Sequence, residues 1–435
     1  MAFHRTLKVR ENLCKSCTHC MKRCPTGAIR IDRGHAQVEE AKCIDCGQCM
    51  QACPHHAIAV EQNLFEELFY FEKRVAIIPA VFFAQFDDQY SESQICQALY
   101  DIGFTHVYPA ELGIDITRLY CVKGADCKPI ISNFCPSVVR LIQTRYPSLV
   151  PHIGLKTTPS HVTALFARLE LEDKGVGIFY VTPCPGKIAE FHRLAEAGSA
   201  FNGVLNMDTV YNQVSTSLAK NKRKFAKEDG AMSFPVMTGS AATWALSNGE
   251  LAGRKGRSLA IDEIHHVMEF LEFLEENEDE SNIDFLELKA CAEGCVGGIL
   301  TARNRFLASE RLRYWATSLP SELPEPLVQR IMKQKDAMMD KMTTPIHEVS
   351  AIALDDDIGV ALYKMEKVRK ITDALPGIDC GLCGSPTCSA LAEDIAQGQA
   401  SIRQCTVLRL KDPKEVNTLA RIWGEKVTGE KGEGK

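Results

Sequence analysis

Cys14-Lys15-Ser16-Cys17-Thr18-His19-Cys20-Met21-Lys22-Arg23-Cys24-Pro25 returns 29 residues later as Cys43-Ile44-Asp45-Cys46-Gly47-Gln48-Cys49-Met50-Gln51-Ala52-Cys53-Pro54. Both runs read Cys-x2-Cys-x2-Cys-x3-Cys-Pro, a spacing with which thiolates wrap an inorganic iron–sulfur core. After each Cys-Pro comes a short β-like run, Ala28-Ile29-Arg30-Ile31 and Ala57-Ile58-Ala59-Val60. Two more quartets lie outside this repeat: Cys135, Cys184, Cys291 and Cys295, then Cys380, Cys383, Cys388 and Cys405. The four sets take sixteen of the nineteen cysteines. Cys96, Cys121 and Cys127 are left over; the favoured reading is small buried hydrophobes rather than ligands, with a local redox role left open for Cys121 and Cys127, which lie near Cys135 in sequence.

The 435 residues allow several domains, and a net charge of −6 does not suggest a nucleic-acid partner. No stretch has the order of a secretory signal, and the most apolar run, Val75 to Phe86, is too short to span a bilayer. The expectation is a cytoplasmic protein without a membrane span. Disulfides rarely persist there, so the cysteines point to metal and redox chemistry. Zinc seldom uses the repeated spacing.

Between about Val75 and Asn304 the texture alternates. Val75–Ala80, Lys128–Ser132, Gly175–Val181, Gly203–Asn206 and Ile283–Leu288 read as buried strands. Ser137–Arg145, Ser160–Leu169, Asp208–Lys220 and Ile261–Glu275 read as helices. Such alternation predicts an α/β domain with mostly parallel sheets, whose ligands sit beyond the carboxyl ends of strands. Cys135, Cys184 and Cys291 each follow a predicted strand and can converge there. Gln62 to Glu72 reads as a helical connector, the Leu327–Met342 stretch as a packed helix, and Lys220–Lys227 as a solvated basic loop.

Residues 1–62 resemble a bacterial two-cluster ferredoxin. In that family the fourth cysteine of each run crosses to the other cluster. The resemblance therefore implies one cluster on Cys14, Cys17, Cys20 and Cys53, and another on Cys43, Cys46, Cys49 and Cys24. Nine Lys/Arg against five Asp/Glu in the first sixty residues would offset the anionic clusters.

Three further patterns follow in order: Ser132-Asn133-Phe134-Cys135-Pro136, Thr182-Pro183-Cys184-Pro185-Gly186-Lys187-x2-Glu190, and Ala290-Cys291-Ala292-Glu293-Gly294-Cys295-Val296-Gly297-Gly298. Together they resemble the three H-cluster motifs of the [FeFe]-hydrogenase catalytic domain. The resemblance implies a [4Fe–4S] cluster on Cys135, Cys184, Cys291 and Cys295, with Cys295 bridging to a diiron unit that carries carbonyl and cyanide ligands. It also implies a catalytic pocket with Cys295, Lys187 and Glu190. Pro79, Ala80, Pro183 and Lys187 would face the diiron group, Lys187 as a hydrogen-bond donor to cyanide. Two departures bear on rate. Phe134 stands where catalytic members place a proton-relaying cysteine, and Thr182 stands where they place Met. General acid transfer contributes about 10²–10⁴-fold, so a slow enzyme is expected.

The middle motifs look closest to the superfamily's sensory branch, whose members continue into signalling domains. The resemblance then implies a separate signalling output protein, alongside redox partner proteins and H2 or protons as small substrates. Asp379-Cys380-Gly381-Leu382-Cys383-Gly384-Ser385-Pro386-Thr387-Cys388, with Cys405, resembles the four-cysteine cluster domain of Rnf-type electron-transfer subunits and of the corrinoid iron–sulfur protein.

The expected architecture is an α/β multidomain chain. Residues 1–62 form a small ferredoxin-like α+β domain and 73–310 a two-lobed hydrogenase-like α/β domain. Residues 311–370 form a helical linker, 371–412 a short α-rich [4Fe–4S] module, and 413–435 a flexible tail. The expected cofactors are four [4Fe–4S] clusters, with a diiron subcluster in an H-cluster. Two functions stay open: slow exchange of protons and electrons with H2 in a sensing or redox-regulatory role, or non-catalytic electron transfer without the diiron site.

Overall fold

A computed structural model describes residues 6–122, 127–172, 175–195, 199–221, 236–277, 282–349, 357–411 and 413–422. Most of the Lys220–Lys227 run and the end of the chain from 423 lie outside the described residues. The chain divides into two compact units. The smaller comprises Lys8–Cys43, Gln48–Ala59 and Ser350–Lys435; the larger comprises Met1–Leu7, Ile44–Gly47 and Val60–Val349.

The N-terminal module is ferredoxin-like: short strands and one-and-a-half-turn helices alternate in duplicate. β1 (Leu7–Val9) precedes the helix His19–Arg23, and β2 (Ile29–Asp32) and β3 (His35–Val38) form a hairpin. The helix Gln48–Ala52 leads to β4 (Ile58–Val60), which pairs with β1. Both expected β-runs are therefore strands. The C-terminal part of this unit is helical, with Ile358–Ala374 packed against Cys388–Ala396 around buried Ile371, Leu391, Ala392 and Ile402. A further helix, Pro413–Ile422, stands where the sequence predicts a flexible tail, and Leu419 packs against the same apolar cluster.

The larger unit holds two parallel sheets, as the alternating texture predicts. β5 (Lys73–Ile78), β6 (His106–Pro109), β8 (Val176–Thr182) and β9 (Gly203–Asn206) form one sheet in the order β6-β5-β8-β9. β7 (Ile130–Ile131), β10 (Ser258–Asp262) and β11 (Phe285–Lys289) form the other, in the order β10-β11-β7. All seven residues of β8 are buried. A strand buried along its whole length, with no solvated face, is what a central parallel position covered on both sides requires. One apolar core covers the first sheet, with Phe82, Phe86, Phe179 and Leu205, and a second covers the other, with Ile131, Ile142, Leu271 and Leu286.

Three local readings are corrected. The helix expected from Ile261 starts at Ile264, because Ser258–Asp262 is a strand and Glu263 turns the chain at a φ of 66°. The connector before β5 is only a 3-10 segment, Phe65–Tyr70. β6 has no counterpart among the expected strands: Pro109 and the polar His106 disguise a four-residue strand.

Candidate functional site

The cysteine sites are built from opposite kinds of scaffold. In the ferredoxin-like module, tight turns bring Cys14, Cys17, Cys20 and Cys53 around one cavity. The last cysteine of the second run thus joins the first three of the first run. Burial pushes the Cys20 thiol up to about 11, and Cys53, Cys14 and Cys17 beside it add to the rise. Four thiolates gathered round one space need a cationic core to compensate their charge, which an iron–sulfur cluster would supply. Backbone N–H groups already aim at the sulfurs. Ala57 donates to Cys53 Sγ at 3.3 Å, Ala28 to Cys24 Sγ at 3.2 Å and Ala36 to Cys14 Sγ at 3.4 Å. The first two repeat the same four-residue spacing, so the duplication reaches the hydrogen bonds. Of the second quartet, Cys24, Cys43 and Cys49 belong to the smaller unit and Cys46 to the larger.

Cys380, Cys383, Cys388 and Cys405 line another cavity. Asp379 Oδ1 accepts the Cys388 N–H at 2.6 Å and fixes the turn, while Thr387 caps the helix that Cys388 opens. Among the described residues, no three His, Cys, Asp or Glu converge on a point that fits a single metal ion; the quartets surround space.

The middle quartet rests on strand ends. β7 leads to Cys135, β8 to Cys184, and β11 to Cys291 and Cys295. Cys135 is the N-cap of the helix Pro136–Arg145, and Cys184 directly precedes the helix Pro185–Ala195. The partial positive charge of two helix N-termini therefore faces the sulfurs. Gly186 allows these helices to meet, since a Cβ there would lie 2.6 Å from Ser137 Oγ. Burial raises the Cys184 thiol to about 12, and Cys135 and Cys295 add to it. Burial likewise holds the Cys291 thiol far above the usual range, with Cys184, Cys135, Cys295 and Cys46 as further causes. The four sulfurs, spread over 160 residues of sequence, thus share one neighbourhood.

Cys46 joins that neighbourhood through a short built contact. Gly47 leaves no room for a side chain against Ile299 and Pro185, and Thr6 Oγ donates to Asp45 at 3.0 Å and to the Pro185 carbonyl at 3.3 Å.

Around Cys295 the donors expected to face a diiron group are already engaged. The Ala80 N–H donates to Glu111 Oε2 at 2.8 Å, and Pro79 has no N–H to offer. Lys187 Nζ donates to Tyr180 OH at 3.3 Å and lies 4.2 Å from the Phe134 ring centroid. Burial works against the Lys187 ammonium, but Tyr180, Cys295 and Cys184 beside it hold its pKa above the usual lysine value. Thr182 Oγ accepts the Cys184 N–H at 3.3 Å, so this residue caps the turn instead of filling space as Met would. Pro183 accepts the Leu300 N–H at 3.1 Å and joins the second and third motifs. Glu190, one turn beyond Lys187, lines a separate polar cavity with Asn133, Lys156, Arg193 and Thr344. Burial raises its carboxyl, opposed by Arg193 and Lys187.

Two groups are not legible in the motifs. Glu111 follows the carboxyl end of β6, is buried, and is pushed up to about 7 by that burial. Recognising β6 would have exposed it. Lys289, at the end of β11, is 2 % exposed. Its ammonium donates to Glu287 at 2.7 Å, to the Trp244 carbonyl at 2.9 Å and to the Leu246 carbonyl at 2.5 Å. Glu250 accepts from Ser132 Oγ at 2.6 Å, and Ser132 Oγ accepts the Phe134 N–H at 3.1 Å. Both Lys187 and Lys289 lower the Cys295 thiol against the larger effect of its burial, which leaves it raised.

A family model for the iron-only hydrogenase large subunit, C-terminal domain, matches residues 72–217, the segment that carries Ala80, Cys135, Cys184 and Lys187. A 4Fe-4S dicluster domain matches 13–58, and an Fe-S cluster family matches 375–407. Residues 72–217 thus carry a domain of the [FeFe]-hydrogenase superfamily, flanked in sequence by iron–sulfur domains. The dicluster and Fe-S matches make the chain an iron–sulfur protein with [4Fe–4S] clusters.

Solved [FeFe]-hydrogenase chains are similar to it. A variant of HydA1 from Chlamydomonas reinhardtii is 16 % identical, with a TM-score of 0.46 over 64 % of this chain and 95 % of that one. The HydA(deltaEFG) structure, concerned with stepwise H-cluster assembly, is 15 % identical, also at 0.46, over 63 % and 94 %. A component of the Na(+)-translocating ferredoxin:NAD(+) oxidoreductase complex of Acetobacterium woodii is 35 % identical over 77 residues, 16 % of this chain and 23 % of that protein. A component of the ion-translocating oxidoreductase complex of Rhodobacter capsulatus is 49 % identical over 39 residues, 9 % and 21 %. The chain therefore spans less than a quarter of the length of these curated relatives. No helix among the described residues is long and apolar enough to cross a membrane.

Proposed function

We propose that this chain carries four [4Fe–4S] clusters and passes single electrons between redox proteins, with the middle quartet holding one cluster without a fast proton route to it. The clusters supply one-electron transfer. The observation that carries the reading is Phe134. Its buried ring lies under the Lys187 ammonium, where a relaying thiol would have to stand, and a phenyl ring holds no exchangeable proton. The engaged Ala80 N–H supports the same reading, because the donor expected to meet an anionic ligand is bonded to Glu111 instead. Cys135, Cys184, Cys291 and Cys295 would bind the cluster, and Lys187 and Lys289 would offset its negative charge. The partners would be one-electron carriers.

A second reading has its own support. Lys187 is a buried ammonium between Cys295 and Cys184, and Glu111 is a buried carboxyl able to hold a proton near neutrality. Both suit H-cluster binding, slow interconversion of protons and electrons with H2, and a sensory role through a separate output protein. The sensory-type motifs favour this role over bulk catalysis.

Iron and sulfide analysis joined to infrared spectroscopy, on protein matured with the H-cluster assembly machinery, separates the two. The carrier reading expects four [4Fe–4S] clusters with no carbonyl or cyanide bands and no H/D exchange. Such bands would overturn it in favour of the second reading.

A further inference from the structure

The C-terminal cysteine module is seated on the ferredoxin-like module within the smaller unit, and the contacts fall beside the cysteines themselves. Gly381 follows Cys380 and packs on Met21, which follows Cys20; a Cβ at Gly381 would lie 2.8 Å from the Met21 methyl. Gly384 follows Cys383, and its carbonyl accepts the Ile31 N–H at 2.8 Å. Ile31 in turn lines the cavity of Cys14, Cys17, Cys20 and Cys53. A Cβ at Gly384 would meet the Ile31 carbonyl oxygen at 2.2 Å, so only glycine permits this approach.

Charges lock the same face. Arg30 makes a two-pronged bond to Asp394, at 2.7 Å and 3.0 Å, with both side chains largely buried. Ser385 Oγ donates to Asp394 at 3.3 Å, and Lys42 bonds Glu393 at 3.2 Å. Two parallel N–H···O bonds fix orientation as well as distance. A buried ion pair is a poor source of stability but a good means of holding one geometry.

We propose that the C-terminal cluster exchanges electrons with the ferredoxin-like module specifically through the Cys14/Cys17/Cys20/Cys53 cluster, along the Ile31–Gly384 and Met21–Gly381 contacts. This rests on the reading that both quartets hold [4Fe–4S] clusters. One electron leaves one cluster as one enters the other, and no bond or proton changes. The external donor is a one-electron carrier protein. The C-terminal module is then a port wired to the ferredoxin-like clusters, not an independent appendage.

Electron paramagnetic resonance of the fully reduced holoprotein tests the route. Two reduced clusters in such contact split or broaden each other's signals, and Cys405→Ser, which removes the C-terminal cluster, should sharpen the signal of its neighbour. Gly384→Ala and Arg30→Gln should weaken the interaction while the iron content holds. Unperturbed signals in the parent protein with both clusters reduced would overturn the proposal, as would an interaction unchanged in both docking variants. A missing cluster in the parent protein would instead overturn the reading beneath it, and the iron count distinguishes the two failures.

Discussion

The Lys187 ammonium lies 4.2 Å from the centroid of the Phe134 ring. One residue is a match to the hydrogenase motifs and the other is a departure from them, and they are in contact. A desolvated cation–π pair of this kind contributes about 2 kcal/mol. Phe134 therefore holds the lysine, and its ring offers no exchangeable proton at this position.

Replacing Phe134 separates these effects. Phe134→Ala should cost about 3–5 kcal/mol, the range for truncating a buried Phe, measured by denaturant unfolding. Phe134→Cys should raise H/D exchange with H2 gas if a matured diiron site is present. No rise in protein that shows the infrared bands would mean that Phe134 does not limit the rate.

Lys289 is held differently from Lys187: its three donors are spent on Glu287, Trp244 and Leu246. It can act on Cys295 by charge but has no proton left to donate to a ligand. Lys289→Met strands Glu287 in a dry site and should destabilise by about 3–5 kcal/mol. It should also move the middle cluster to a more negative potential, because a reduced, more anionic cluster loses a nearby cation. Lys289→Arg should keep most of the potential. A redox titration followed by paramagnetic resonance reads both, and an unchanged potential in Lys289→Met would refute the charge role.

The middle quartet can be emptied by itself. Cys291→Ser should lose one cluster's iron and sulfide and leave the ferredoxin-like signals intact, since those sulfurs sit on their own turns. Loss of every cluster would mean that the quartets assemble as one cooperative unit.

His161 gives a pH dependence outside the cluster sites. Burial, helped by Lys341, lowers its imidazole to about 4, and Nδ1 has no hydrogen-bond partner. The unfolded chain takes up this proton near pH 6.5, whereas the folded chain resists until about pH 4. The unfolded state thus binds more protons in that window, and stability falls as the pH drops through it, by on the order of 2–3 kcal/mol. His161→Phe should flatten this slope in unfolding titrations between pH 7 and 4. Phe201, already edge-on to the ring at 5.7 Å, offers the replacement an apolar neighbour.

The parts legible in the sequence share one physical property: their information is local. Cys-x2-Cys-x2-Cys-x3-Cys folds its own turns, and the short, mostly apolar stretches of β5, β8 and β9 state their burial in their composition. β6 and β10 escape such a reading because their polar positions and the proline imitate a loop or helix start. Glu111 escapes with β6. The engagement of Ala80 is invisible for another reason, since Glu111 lies 31 residues away and no spacing links the two.

The amino-acid order by itself determined that this chain is an iron–sulfur protein with a hydrogenase-like α/β segment, because cysteine spacing and buried strand composition are written within a few residues. Only the tertiary structure decided which groups are spent and which are free. It put Phe134 against Lys187, tied Lys289 to Glu287, gave the Ala80 N–H to Glu111, and seated the C-terminal cysteines on Arg30 and Ile31. Those pairings depend on where parallel strands end and which turns can approach, and that is set by packing across the whole chain.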